Sequence, residues 1–293
     1  MNTEQTNLAA IDIGSNAARI MIKSVEKTDK GIRTKKLQFL RIPIRLGVDV
    51  FSSGEIGEER EEMLMRTMKI FRQLIILYKV KRYRACATSA LRDASNGKKV
   101  LKKIAKETKI EIEIITGDEE ARTIRDNYSG TGNLLYMDVG GGSTELSLVC
   151  DGELKGSRSI NIGTLRILNE CVSPAVWQEL NDAVKELTDG ITDIRIVGSG
   201  GNINKLHRLA PKKERTKDSL LVSTLSSLYR RLSALSVEER MTEFDLRPSR
   251  ADVIVPAAQL FLMVAGIVGA STILVPTVGL ADGMINELAE SER

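Results

Sequence analysis

Residues 133–163 read NLLYMDVGGGSTELSLVCDGELKGSRSINIG, and their pattern decides the fold. An apolar run reaches Asp138, and the chain turns through Gly140-Gly141-Gly142-Ser143-Thr144 into a second run. The Asp151-Gly152 pair predicts a tight hairpin into a third strand, because both residues accept the positive φ that such a turn demands. A helix is expected from Thr164 onward. The stretch IRIVGSGGN (194–202) predicts a strand that runs into another helix.

The same grammar stands near the N-terminus. LAAIDIGSNAARIMIKSVEK (8–27) runs to Asp12, turns at Gly14-Ser15-Asn16 and resumes as strand. A turn at Asp29-Lys30-Gly31 sends the chain back along IRTKKLQFLRIPIRLG (32–47). After Gly54-Glu55-Ile56, apolar residues recur at helical spacing as far as Val80. YRACATSALR (83–92) and IEIEIITGDEEARTIRDNY (110–128) each read as strand then helix. Strand, glycine turn, strand, hairpin, strand, helix, strand thus occurs twice, displaced by about 126 residues, which a duplicated α/β unit explains. The boundary is expected where DNYSGTGN (126–133) breaks helical periodicity, giving domains of 1–126 and 127–293. Two such units predict a cleft between the halves, with ligands at the carboxyl ends of the strands where the glycine turns lie.

Composition narrows the chemistry. Of 293 residues, 42% are hydrophobic and 28% charged, which supports two cores and excludes wholesale disorder. Lys plus Arg is 43 against 39 for Asp plus Glu, a net charge of +4 that suits an anionic ligand without arguing for nucleic acid. Aromatics at 4% speak against stacking platforms for single strands. Cys86, Cys150 and Cys171 form no C-x-x-C pair, so neither a disulfide framework nor a zinc site is indicated, and the cytoplasm is the expected compartment. His207 is the single histidine, which removes His-clustered metal sites, Ser-His-Asp triads and Cys-His dyads. A general base must then be a carboxylate, a Lys or a Tyr.

The N-terminal MNTEQTN lacks a signal-peptide pattern. Val253 to Pro276 is apolar enough to test as a membrane span. Pro256, Gln259, Gly266, Gly269, Ser271 and Thr272 interrupt it. It reads instead as a buried helix to Val268, a stop at Gly269-Ala270 and a strand TILVP, so no membrane partner is expected.

A phosphate close to a backbone needs free N–H donors and no Cβ in the way. Gly14-Ser15-Asn16 and Gly140 to Thr144 both offer this, with hydroxyls of Ser15, Ser143 and Thr144 as added donors. Tight hairpin glycines without a ligand are the plainer alternative. Neither loop is a Walker A motif or a Rossmann fingerprint. Asp12 and Asp138 stand just before the turns, and Glu145 follows the second. Carboxylates beside a phosphate cradle repel it unless a cation, expected to be magnesium, sits between them; otherwise the aspartates cap their loops. Gly117-Asp118-Glu119-Glu120 opens a helix, and acidic residues in a first turn are ordinary capping. Glu120 fits that account least and is the candidate to activate water.

These residues resemble the exopolyphosphatase and guanosine pentaphosphate phosphohydrolase (Ppx/GppA) family, within the actin, hexokinase and sugar-kinase-like fold. The matching stretches are AAIDIGSNAARIMI, IRLGVDV, ATSALRDASNG, ITGDEEAR, LLYMDVGGGSTELSLV, INIGTLR, IVGSGGNINKL and VPTVGLADGMINEL. They cover nearly the whole chain in the family's order. The resemblance implies duplicated actin-like domains around a cleft and hydrolysis of phosphoanhydride bonds. The substrate it implies is the terminus of polyphosphate or, alternatively, the terminal phosphate of guanosine pentaphosphate. It implies Glu120 as the water-activating base and Asp138 with Glu145 as the magnesium pair. Asp12, Gly14, Ser15 and Asn16 become phosphate-loop residues, with Arg92 facing the phosphates and Arg45 a lesser candidate for that duty. Gly200 and Gly201 of IVGSGG fall where nucleotide-binding relatives hold base and sugar, and a homodimer stays open as the assembly.

The chain also departs from longer members, whose C-terminal domains include one with metal-binding histidines; a single histidine and an end at Arg293 match the short two-domain form. Rival readings are an acetate or sugar kinase on the same fold and a nucleotide-dependent sensor or assembly protein. Basic runs at Lys98-Lys99, Lys102-Lys103 and Lys212-Lys213 are either solvated helix faces or a long-range attraction for a polyanion.

Overall fold

The computed structural model describes residues 5–28, 31–126, 130–276 and 279–291. It divides into two compact units, Met1–Thr116 with Leu280–Arg293, and Gly117–Gly279.

In the first unit, β1 (Gln5–Ile13), β2 (Ala18–Thr28) and β3 (Gly31–Ile42) form an antiparallel meander. Helices α1 (Leu46–Ser53) and α2 (Glu58–Leu77) follow, then β4 (Arg82–Ala87), α3 (Ser89–Asp93), α4 (Gly97–Thr108) and the two-residue β5 (Glu113–Ile114). The sheet order is β3-β2-β1-β4-β5, with β4 parallel to β1 and β5 parallel to β4. Side chains alternate across a strand. Ala9, Ile11 and Ile13 therefore enter one core with Leu64, Met68 and Phe71 of α2, while Asp12 points to the opposite face. The expected turn at Asp29-Lys30 lies outside the described residues.

The second unit begins with α5 (Gly117–Arg125) and repeats the plan. The strands β6 (Asn133–Val139), β7 (Thr144–Cys150) and β8 (Glu153–Ile160) form the meander. Asp151 and Gly152 at its hairpin have φ of 50° and 85°, as the sequence predicts. Then come α6 (Thr164–Leu168), α7 (Pro174–Thr188), β9 (Arg195–Ser199), α8 (Gly201–Leu209), β10 (Ser219–Leu221), α9 (Val222–Ser233), α10 (Val237–Glu243), α11 (Pro248–Ala251), α12 (Ile254–Val268) and β11 (Thr272–Leu274). The order β8-β7-β6-β9-β11 copies β3-β2-β1-β4-β5, and β10 adds an antiparallel edge. Duplication is thus written in strand order as well as in sequence.

Helix α12 lies within Pro248–Val268, which is long and apolar enough to cross a membrane by length and composition, with mean hydropathy 2.0. Its Ile254, Ala257, Ala258, Leu260, Phe261, Val264 and Ala265 are nonetheless buried in the second unit's core. The helix stops at Gly269 and β11 follows, as read from the sequence.

The boundaries differ from the expected 1–126 and 127–293. The first break falls between Thr116 and Gly117, because α5 packs on β7 and β8 of the second unit rather than closing the first. The second lies before α13 (Leu280–Glu290), which returns to the first unit and packs on β1, β2 and β4. Ion pairs hold it there: Lys23 to Asp282 at 2.6 Å, and Arg84 to Glu287. Each unit is closed by the helix that follows the other unit's strands.

Candidate active site

Three carboxylates meet in the second unit. Glu120, Asp138 and Glu145 each offer one oxygen, and these atoms lie within 4.8 Å of one another. Glu145 is buried, and the other two are half-buried. Sheet register explains the meeting: Asp138 on β6 is paired with Glu145 on β7, flanked by Ser199 on β9 and Ser159 on β8. Ser159 donates to Glu145 Oε1 at 3.2 Å and fixes its carboxylate. Helix α5 brings Glu120 from above. Its seat requires Gly117, where a Cβ would come within 2.2 Å of Ser159 Oγ. Ser157 donates to Asp118 at 3.2 Å, so Asp118 docks the helix while Glu120 turns to the site.

The glycine loop lies beside this group. Its carbonyls are consumed by α6: Thr164 N–H binds the oxygen of Gly140 at 3.0 Å, Leu165 N–H that of Gly141 at 2.8 Å, and Arg166 Nε that of Gly142 at 2.7 Å. In a trans peptide the N–H points opposite to the preceding C=O. The amides of Gly141, Gly142 and Ser143 therefore face away from α6, as a row of donors suited to an anion. The hydroxyl of Thr144, expected as a further donor, is spent on Ile162 O at 2.6 Å.

The first unit repeats the loop and changes its chemistry. Gly14 N–H binds Ala17 O at 3.1 Å as Gly140 N–H binds Ser143 O at 2.9 Å. The start of α1 locks the loop through Arg45 N–H to Asn16 O and Gly47 N–H to Ser15 O, which turns the amides of Asn16 and Ala17 outward. This puts Arg45 beside the first loop, in an αL conformation with φ 61°. The Ser15 hydroxyl is paired with Ser89 Oγ at 2.8 Å. Asp12, 4% exposed, forms an ion pair with Arg19 across the ladder. It is expected among the metal ligands, and within its own unit it is paired with Arg19. Arg92 donates to Ile115 O at 3.1 Å, tying α3 to the strand end, so one of its nitrogens is already committed.

Gly200 and Gly201, expected as possible substrate contacts, are packed against side chains of their own unit. Gly200 has φ +92°, and a Cβ there would lie 2.5 Å from Asp138 Oδ1. Its bareness lets Asp138 occupy its place. Gly201 packs under the guanidinium of Arg250, which in turn donates to Asn202. Ser159, Ser199, Gly163 and Arg250 were missed in the sequence. Gly163 sits inside the quoted INIGTLR stretch, and a Cβ on it would lie 2.5 Å from the backbone of Gly141.

A sequence profile described as the Ppx/GppA phosphatase family matches residues 25–292. A bifunctional 3-dehydroquinate synthase/phosphatase of Fusobacterium nucleatum is 38% identical over 174 residues, 54% of this chain and 25% of that protein. Exopolyphosphatase 1 of Mycobacterium tuberculosis is 30% identical over 168 residues, 56% of this chain and 48% of that one. The chain thus spans a quarter to a half of the length of these relatives. The crystal structure of an exopolyphosphatase from Cytophaga hutchinsonii superposes with a TM-score of 0.83 at 24% identity, covering 98% of both chains, and so shares the fold.

Proposed function

We propose, from the premise that this chain belongs to the Ppx/GppA phosphatase family, that it is a magnesium-dependent phosphoanhydride hydrolase releasing terminal orthophosphate from inorganic polyphosphate. The observation that carries this reading is the convergence of Glu120, Asp138 and Glu145 within 4.8 Å beside a row of outward amides.

The donor set fits the ion. All three groups supply hard carboxylate oxygens, the ligands magnesium takes, and two of them are only half-buried, which leaves room for water and phosphate oxygens. Asp138 and Glu145 would hold it. When bound, magnesium neutralises charge on the phosphoryl oxygens and orients the terminal group. The amides of Gly141, Gly142 and Ser143 bind those oxygens from the loop side. The Glu120 carboxylate orients a water and accepts its proton as the water oxygen bonds to the terminal phosphorus. The bridging P–O bond breaks, giving orthophosphate and a chain one unit shorter. The protein's task is positioning and charge balance, which is what fixed amides and carboxylates supply.

The test is phosphate release from polyphosphates of several lengths, beside guanosine pentaphosphate and ATP, with and without magnesium. Release from polyphosphate that stops in chelator, with Asp138→Asn and Glu145→Gln each needing more magnesium, is the expected result. Preference for guanosine pentaphosphate would move the substrate to the nucleotide. Binding of ATP with no release from any of the three would replace hydrolysis with sensing.

A further inference from the structure

We propose that Ser147 and Ser199 hold one water molecule beneath the carboxylate group and through it position Asp138 and Glu145. The inference deepens the proposed function and rests on it for the meaning of those two carboxylates.

Ser147 is 1% exposed and Ser199 4% exposed. The Oγ atom of each is buried and has no hydrogen-bond partner among the described residues. Both line one small cavity together with Asp138, Glu145, Tyr136 and Val197. Strand alternation accounts for this: Ser147 lies two residues beyond Glu145 on the same face of β7, and Ser199 is paired with Asp138 across β6 and β9. Two hydroxyls buried without partners are costly, and natural interiors pair such groups with protein or with ordered water. The cavity has room for about one water.

A single water there satisfies every group. It accepts from the hydroxyls of Ser147 and Ser199 and donates its two hydrogens to one oxygen of Asp138 and one of Glu145. Water hydrogens shared with carboxylates make strong, charge-assisted bonds. Each carboxylate is thereby held from behind, and its other oxygen is kept toward the metal. Ser147 and Ser199 are positioning residues, since they act through the water and the carboxylates.

The first measurement is a high-resolution crystal structure of the wild-type protein grown with rubidium as the only monovalent cation. The expected density is one water with four polar neighbours and no anomalous signal. The second is magnesium affinity by titration calorimetry without substrate, in Ser147→Ala, Ser199→Ala and the double variant, with melting curves to confirm folding. Each single variant is expected to weaken magnesium binding about tenfold, the scale of losing an outer partner of a metal ligand. The double variant should be no worse than the weaker single, because both hydroxyls act through one water. Ser147→Thr, which keeps the hydroxyl, should retain wild-type affinity. A dry cavity, a rubidium peak in it, or unchanged affinity in both single variants would overturn the proposal. If the wild-type protein bound no divalent ion, the metal reading would fall whether or not the cavity held water. A dry cavity in a protein that binds magnesium normally would defeat this inference alone.

Discussion

Each unit carries an aspartate near the end of its first strand, and the residue facing it across the ladder differs in sign. In the first unit Asp12 faces Arg19, and the two form an ion pair. In the second Asp138 faces Glu145, and Glu120 adds a third carboxylate within 4.8 Å. Two full charges at 4.8 Å repel by about 3 kcal/mol at an effective dielectric of about 20, the repulsion that the proposed cation would relieve. Duplication copied the backbone, down to the turn hydrogen bond of each loop. One residue of opposite charge separates the copies: the aspartate faces a guanidinium in the first unit and a second carboxylate in the second.

The sharpest way to break the comparison is to impose the first unit's pairing on the second. Glu145→Arg should abolish magnesium binding in calorimetry and reduce phosphate release to background, while circular dichroism stays native. Retained magnesium binding would show that the sign of this residue does not matter. Next in size, Glu120→Gln should lower kcat by about a hundredfold or more with little change in the magnesium midpoint. A shifted midpoint with preserved kcat at saturating magnesium would make Glu120 a ligand instead of a base. Glu119→Gln, on the same turn, is the control expected to stay near wild type.

Loop variants come third. Gly14 has ordinary φ, and a Cβ there would meet Ala17 O at a comfortable 3.6 Å, so Gly14→Val can fold. Steady-state kinetics on Gly14→Val and Gly141→Val should each show about tenfold or greater losses if both loops' amides bind phosphate. A fully active, folded Gly14→Val enzyme would confine phosphate binding to the second unit. Gly152→Ala, at φ +85° in the outer hairpin, should lose about 1 kcal/mol of stability and little activity. Fourth, Arg19→Met should lower stability by about 1–2 kcal/mol, since Asp12 keeps its burial without its partner. That figure is modest because the Arg19 side chain is 30% exposed. Magnesium affinity should not move, and adding Asp12→Asn should restore most of the loss in a melting experiment.

The smallest effect concerns Cys86, which stands opposite Asp12 where Ser199 stands opposite Asp138. Burial pushes its thiol well above the usual range, with Arg84 opposing. A maleimide at pH 8 should therefore label exposed Cys171 first and Cys86 last in the folded protein. Early labelling of Cys86 would mean that this face of the first sheet opens readily.

Much of this was legible in the linear chain. Both meanders, the Asp151-Gly152 hairpin, the end of α12 at Gly269 and the carboxylates at the second loop all follow from period and turn chemistry. Even the facing residues could be read. Asp12 and Arg19 flank their turn as Asp138 and Glu145 flank theirs, so counting outward from each turn finds the partner of each aspartate. The destination of a helix could not be read. The apolar stripe of α5 says that it packs, and leaves open which sheet receives it. Ser199 was hidden for a related reason, because its nearness to Asp138 arises from register between strands far apart in sequence, and Ser159 because an irregularity at Leu148/Val149 shifts the β7–β8 register by one residue. The protein partners of the Ser15 and Thr144 hydroxyls could not be read either, because they depend on tertiary neighbours, here Ser89 and Ile162.

The return of α13 bears on the order in which the molecule is made. Lys23 meets Asp282 across 259 positions of chain. Synthesis runs from the N-terminus, and domains tend to fold as they emerge. Residues 117–279 form an uninterrupted unit that leaves the ribosome whole, while the earlier-born unit waits for its last helix. Until then the face of β1, β2 and β4 that α13 covers stays open to solvent and to misplaced partners. The first half to be translated is therefore the last to be finished.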